Sequence, residues 1–570
     1  MSTRRNRDIL RFLLLFAIIL ALNLIGNLRF FRVDLTSEGR YTLNGATKEL
    51  LRSFEDKILV KVYLEGDFPA GFQRLQSETR QMLDEFRAYN ANLEYVFINP
   101  NSGSEEDREK LYQQLQSRGL RPYQLAISEE GGNSVKTIFP GALMSYGEKE
   151  VPVSLLKDQL GASPEQQVNA SVQNLEFALA NAVRGLTTLK KPLVGFVQGH
   201  GEADPQEMAD FANSLSQNYQ VRLINIREFK TDSARAVPLS LAEQQRRVNR
   251  FDALIIAKPQ RSFNELDKFL LDQFIMTGGK TMWLIDPVKA EIDSLSQKPQ
   301  FMSLPIYDRL NIGDLLFKYG VRLNTNLVTD MVAAGLNDQQ KIRPWIYFPL
   351  IMPRVEHPIS KDLNAVWLQF ASTIDTLSRP EMKHTALLKT SPYSATYAAP
   401  HIVNLGLYYN MPPRERFRRS GLIVADLMEG KFSSLFKNRL QPKATGEPIR
   451  LIEETEANKM IVVSDGDLIR NQLNIVNNRM PKGAPLPLGF DQFTGAQYGN
   501  SDFLLNAIDY LLEESGLIDI RSRELRIRLL DANRVKTERL RWQIMNTLIP
   551  VVLIVIFGFI NRMIRRRRYR

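Results

Sequence analysis

Hydrophobic positions along this chain change their period several times, and each change marks a different kind of element. Two stretches have no period at all. Residues 12–28 (FLLLFAIILALNLIGNL) are uncharged throughout, and residues 544–560 (IMNTLIPVVLIVIFGFI) form a second run of seventeen residues without a charge. At about 1.5 Å of rise per residue, seventeen helical residues span roughly 26 Å, the lower limit for a hydrocarbon core of about 30 Å. Unpaired backbone groups are not tolerated in lipid, so both runs are expected to be membrane-spanning helices. Pro550 is expected to kink the second, with Asn546 or Thr547 helping to satisfy the freed carbonyl.

Between these runs the pattern is that of globular protein. Thr42 or Asn44 can cap a helix with Ala46, Leu50, Leu51 and Phe54 on one stripe. A strand at 58–64, a helix at 72–89, a strand at 93–98 and a helix at 105–119 follow. A hairpin of 135–144 with 150–155 then turns at Gly147, and a helix occupies 172–186. This order predicts a thioredoxin-like α/β domain. Where a redox pair would stand the chain reads Glu65-Gly66-Asp67-Phe68-Pro69, so the domain is expected to bind or hold a partner rather than to do redox chemistry.

After Lys190-Lys191-Pro192 the strands become apolar on both faces: 193–197 (LVGFV), 221–226, 253–257 (ALIIA), 281–285 (TMWLI) and 460–463 (MIVV). Such runs belong to a parallel sheet covered by helices, here at 206–217, 264–277 and 311–319. The expected fold class is therefore α/β: two transmembrane helices flanking a thioredoxin-like domain and a flavodoxin- or amidotransferase-like doubly wound parallel sheet. The expected division is a tail and first span at 1–29, the thioredoxin-like domain at 30–190, and the doubly wound domain at 191–535. An insertion at about 331–440, rich in proline and aromatics, does not thread into the sheet, and the second span and basic tail occupy 536–570.

Charge sharpens the membrane reading. The net charge is +11, yet Arg4, Arg5, Arg7 and Arg11 precede the first run, and Arg562, Arg565, Arg566, Arg567, Arg568 and Arg570 follow the second. Anionic headgroups attract such residues by about 1 kcal/mol each, so lipid rather than nucleic acid is the expected partner. No small-x-small cleavage site follows residue 28, which predicts an uncleaved anchor. Short basic tails favour the cytoplasm. The expectation is a two-pass protein of a bacterial inner membrane with cytoplasmic termini and periplasmic main domains.

Candidate chemistry is sparse. There is no cysteine, which removes disulfides, thiolate nucleophiles, cysteine-ligated zinc and iron–sulfur clusters. His200, His357, His384 and His401 have no paired-ligand spacing, and neither a metal nor a cofactor is expected. The segment 276–281 (MTGGKT) resembles a phosphate loop but closes a helix and opens a strand, the reverse of what such a loop requires. An amidotransferase-like elbow is excluded, because its strand end is Ala257-Lys258-Pro259 and no G-x-S-x-G occurs. In open α/β sheets ligands sit beyond the carboxyl ends of the strands. One rim should therefore gather the ligand- or partner-binding candidates Gln198, Gly199, His200, Gly201, Glu202, Lys258, Asp286, Asp465 and Asp467. For 198–202 two readings stand: glycines that allow close approach of an anion, or a turn in which His200 is satisfied by its neighbours. Asp465 and Asp467 are a metal pair or, more commonly, turn formers.

Several stretches together carry a family resemblance: DLTSEGRYTLNGATKELL at 34–51, Gly199-His200-Gly201-Glu202, His357-Pro358-Ile359, LMEGKFSSLF at 427–436, VSDGD at 463–467 and GNSDFLLNAIDYL at 499–511. They resemble the GldG family of gliding-motility-associated ABC transporter components of Bacteroidetes, within the wider ABC-transporter auxiliary family. The resemblance covers nearly the whole chain. It implies a membrane-tethered extracytoplasmic subunit, labelled substrate-binding largely by gene context, that works with a separate permease and ATPase and with envelope motility or secretion proteins. No catalytic residues come with it, and a non-enzymatic role is expected. The alternatives are a structural envelope component without a small ligand and a membrane-anchored hydrolase using His200 and Glu202.

Overall fold

The computed structural model describes residues 10–21, 42–129, 132–157, 159–226, 229–232, 235–238, 240–337, 341–353, 355–442, 449–477, 480–512, 515–522 and 532–568. Described residues between 42 and 522 form one compact unit, and the carboxy-terminal helix belongs to another.

The amino-terminal layer is a four-stranded sheet of β1 (Ile58–Val62), β2 (Leu93–Phe97), β3 (Gly141–Tyr146) and β4 (Lys149–Ser154), in the order β2-β1-β3-β4. β1 and β2 are parallel, and the other pairs are antiparallel. Alternate residues Ile58, Val60 and Val62 point into the core, which is why the run reads as a strand. Against the sheet pack α1 (Gly45–Arg52), α2 (Ala70–Tyr89) and α4 (Pro164–Thr187), with α3 (Glu105–Ser117) between β2 and β3 in the chain. Asn44 caps α1, its Oδ1 accepting from the Ala46 N–H at 3.0 Å. Ser163 and Gln166 form a capping box on α4, with Pro164 in its first turn.

The predicted hairpin needs correction. Residues 132–138 pair with 123–129 as a hairpin of their own, and only Gly141–Tyr146 pairs with Lys149–Ser154 across Gly147. Pro140 has no N–H to give a ladder, so one apolar run is split between two sheets.

The central sheet has seven strands: β5 (Leu193–Gln198), β6 (Gln220–Asn225), β7 (Ala253–Ala257), β8 (Lys280–Leu284), β9 (Met382–Lys389), β10 (Ile423–Gly430) and β11 (Asn458–Val463). Their order is β9-β10-β11-β8-β7-β5-β6. Five strands, β6, β5, β7, β8 and β11, are parallel, and every residue of β7 is buried. One face packs on α5 (Ala209–Leu215) and α7 (Asn500–Leu512), the other on α6 (Glu265–Met276). Helices on both faces explain why β5, β7, β8 and β11 are apolar at successive positions; β6, at the edge, is mostly exposed, which corrects the expectation for 221–226.

The region at 331–440 does not stay out of the sheet. It supplies β9 and β10, with β10 antiparallel to β11 and β9 antiparallel to β10. Its remainder folds over an aromatic core in which Phe370 meets Trp345, Tyr347 and Phe348 at ring distances of 5.7, 6.1 and 5.7 Å. The stretch 427–436 docks on α6: buried Asp272 accepts from the Ser434 hydroxyl, the Leu435 N–H and the Tyr319 hydroxyl, each at 2.7 Å.

Among the described residues one helix is long and apolar enough to cross a membrane. It is Thr537–Arg567, within a helix that runs Ala532–Arg568 and contains Pro550. The Thr547 hydroxyl donates to the Gln543 carbonyl at 2.7 Å, not to the carbonyl of Asn546 that Pro550 leaves without its usual donor. Among the described residues the expected pair of spans is not matched at the other end. Leu10–Ala21 is an exposed apolar helix whose rise, about 18 Å at 1.5 Å per residue, falls short of a bilayer core. Residues 22–28 of that predicted span, like all of 34–41, lie outside the described residues.

Candidate functional site

The carboxyl ends of the parallel strands converge at the reversal of strand order between β5 and β7, the place where an open α/β sheet leaves a crevice. Here that crevice holds side chains of the protein itself. After β5 the chain turns through Gly199 (φ 119°) and Gly201 (φ 71°), conformations that favour glycine. A Cβ on Gly199 would also stand 2.8 Å from Oδ1 of Asn225.

The turn drives His200 inward, where its side chain has no exposed surface. Nδ1 lies 3.2 Å from Oε1 of Glu202 and Nε2 lies 3.2 Å from Oδ2 of Asp267, while the ring stacks on Phe263 at 3.7 Å. Its carbonyl accepts from the Gln260 and Arg261 N–H groups at 2.8 and 2.7 Å. Burial pulls the imidazole pKa down, but the two carboxylates outweigh it and raise the value above normal. His200 is thus a clasp between the loops after β5 and β7. A base acting on an external molecule needs access that this ring lacks.

Lys258, in the left-handed region at φ 54°, is 7% exposed. Its ammonium lies 2.8 Å from Oδ2 of Asp286 and 2.6 Å from Oδ1 of Asp467. Arg470 extends the cluster, binding Oδ1 of Asp467 at 2.6 Å and gripping both carboxylate oxygens of Glu207. Asp286 also accepts from the Gly466 N–H, and Asp465 accepts from the Gln369 and Asp467 N–H groups at 2.7 and 2.8 Å. Burial pushes the carboxyl pKa of Asp465 well up, reinforced by Asp467 and Asp286. For Asp286 burial again exceeds the opposing pull of Lys258, so its value also rises. At Asp467 burial is overcome by Lys258 and Arg470, and the value falls.

Asp286, Asp465 and Asp467 can each offer an oxygen within 4.8 Å of the others, a spacing compatible with a cation. Lys258 already supplies positive charge to two of the three, and backbone N–H groups occupy the third. A divalent ion would have to displace the ammonium.

Of the nine candidate residues, Lys258, Asp286, Asp465 and Asp467 meet in one cluster, and His200 with Glu202 makes a second across the same crevice. Gln198 ends β5 with its amide nitrogen buried and without a hydrogen-bond partner. Sequence reasoning missed Glu207, Asp267 and Arg470. Only Arg470, three residues beyond Asp467, carried a local sign. The other family-like stretches serve packing. Asn500 exchanges hydrogen bonds with the Trp367 backbone at 2.9 Å each way, and His357 sits edge-on to Tyr510.

The family described as "ABC-type uncharacterized transport system" matches residues 191–507, more than half of the chain and the whole of the central sheet. The chain belongs to this family. It is thereby an auxiliary component of an ABC-type transport system, a class that works with other components of the transporter. Residues 37–145 match a domain of unknown function. An uncharacterized protein of Borreliella burgdorferi is 21% identical over 552 residues, 95% of each chain. Among solved structures, the mmIFT52 N-terminal domain aligns with a TM-score of 0.32 at 12% identity, over 56% of this chain and 97% of that one, and at that score the likeness bears on nothing here.

Proposed function

We propose that this protein is a non-catalytic, membrane-anchored accessory subunit of an ABC transporter that works with a separate permease and a separate ATPase. In this reading the amino-terminal layer is a thioredoxin-like holding domain and the central sheet a flavodoxin-like one. Both termini are cytoplasmic, with residues 12–28 completing a second crossing, and the globular unit faces the periplasm. The substrate-binding role and the connection to gliding motility of GldG-type components belong to the same proposal.

The observation that carries it is the closed rim. At the place where enzymes of this architecture receive a cofactor or substrate, the Lys258 ammonium is held by Asp286 and Asp467, and His200 is clasped by Glu202 and Asp267. Within 276–281 the glycines end helix α6 and precede β8, an arrangement that does not cradle a nucleotide. Motion in the assembly would then be driven by the partner ATPase.

The test is purification of the tagged full chain from membranes in mild detergent, followed by identification of co-purifying proteins. A permease and an ATPase in stable ratio are expected. Their absence under conditions that keep other transporters intact would overturn the assignment. A reporter fused near residue 300 should report a periplasmic position, and a cytosolic one would refute the topology.

A further inference from the structure

A second concentration of charge lies away from the strand ends. Strand β4, helices α4 and α7 and the 3-10 turn Ile518–Ser522 enclose a cavity of about 400 Å³, large enough for a small metabolite. Three cations line it: Lys157, Arg521 and Arg121. Among the described residues none of them has a carboxylate within ion-pair distance.

Arg521 is 9% exposed and binds only neutral acceptors, Oδ1 of Asn506 at 3.0 Å and the Lys361 carbonyl at 2.8 Å, with its guanidinium over the Phe177 ring. Its Nε–H is buried without a partner. The Lys157 ammonium reaches only the Asp362 carbonyl, at 3.4 Å, and Arg121 reaches the Gln497 amide oxygen at 3.1 Å. On the negative side, Asp509 is committed to Arg184 and the Tyr219 hydroxyl, each at 2.6 Å. That leaves Asp502, which acts on Lys157 and Arg521, as the uncommitted carboxylate among the described residues of the wall, one against three cations. Burying like charges without counterions is costly, and a bound anion removes the cost. The side chains show the strain: desolvation lowers both basic groups, Lys157 to about 8, with Arg521 adding repulsion while Asp502 and Asp362 pull the other way.

We propose that this cavity binds a small molecule bearing a phosphate or carboxylate group, with Lys157, Arg521 and Arg121 holding the oxyanion and neutral groups such as Asn174 and Ser501 meeting the rest. The inference stands on the cavity alone and does not depend on which transporter components the protein joins.

The test is isothermal titration of the full chain in lipid nanodiscs with inorganic phosphate and with citrate, against sodium chloride at matched ionic strength. Saturable binding of at least one oxyanion is expected, and the tighter of the two assigns phosphate or carboxylate. Lys157→Met and Arg121→Gln should each weaken it by tenfold or more, and Asn174→Asp should abolish it. Arg121 is exposed, so its variant keeps the test valid should a core substitution impair folding. At pH 8 binding should draw protons onto Lys157, seen as a dependence of the measured heat on buffer ionisation enthalpy that Lys157→Met removes. Heats no different from chloride for both anions, or binding unmoved by all three variants, would overturn the proposal.

Discussion

Two groups of charged side chains sit in the same compact unit and are built on opposite terms. At the strand-end rim each cation has its counterpart: Lys258 lies between Asp286 and Asp467, Arg470 between Asp467 and Glu207, His200 between Glu202 and Asp267, while Asp465 is held by backbone N–H groups. In the cavity beside α7, half-buried Lys157, buried Arg521 and exposed Arg121 have, among the described residues, only neutral hydrogen-bond acceptors. A matched cluster is self-contained and holds loops together. An unmatched one keeps an unfavourable field that a ligand can relieve. The difference separates structure from recognition where residue type alone does not, because both places are rich in the same charged side chains.

The largest effect is expected from breaking the matched side. Lys258→Met leaves buried Asp286 without its cation and Asp467 with Arg470 alone, and should cost about 3–5 kcal/mol, measured by denaturant unfolding of the full chain in detergent. Adding Asp286→Asn should recover part of that loss, and strict additivity would argue that the two residues do not act as a pair.

Next comes His200→Gln, expected to cost about 1–3 kcal/mol by leaving Asp267 and Glu202 without their shared partner. Because the folded-state pKa of His200 is raised, its contribution is complete below the unfolded value near 6.5 and fades as pH rises through the folded value. The variant should therefore lose this falling limb of the stability profile. An unchanged profile would mean that the imidazole is neutral between its carboxylates.

The unmatched side predicts the opposite sign. The Lys157 pKa falls from 10.5 to about 8, so between those values the unfolded chain binds the extra proton and stability rises with pH. Below pH 8 the full penalty is present. Lys157→Met should thus stabilise the protein at pH 7, by on the order of 1 kcal/mol once solvent screening is allowed for, and flatten that rise. Destabilisation by this substitution would mean that the ammonium is already satisfied.

Much of the layered fold was legible from local patterning. Four of the five parallel strands of the central sheet were marked by a short run apolar on both faces; β6, expected to be the same, is an edge strand and mostly exposed, and the helix Leu241–Val248 that follows it was not read from the sequence. Two further things were not. β9 and β10 pair antiparallel at one edge of the sheet, with Lys383 and His384 interrupting the apolar pattern of β9, so neither announces its partner. The split at Pro140 assigns the two halves of one β-rich run to different sheets. At the site, the glycines of 198–202 pointed correctly to a tight turn, but whether that turn faces a ligand or a neighbour depended on Asp267, 67 residues further on.

By itself the sequence determined the identity of most elements, the apolar run near the carboxyl terminus and the absence of thiol chemistry, because periodicity, length and composition are local properties. Tertiary structure alone decided which charges cancel. Lys258 meets Asp467 across 209 residues, and Lys157 shares a cavity with Arg521 with no salt bridge to either among the described residues, relations of distance that no window along the chain contains. Coulomb energy depends on separation and on desolvation in space, so the same lysine is a structural clasp in one place and an unsatisfied cation in the other.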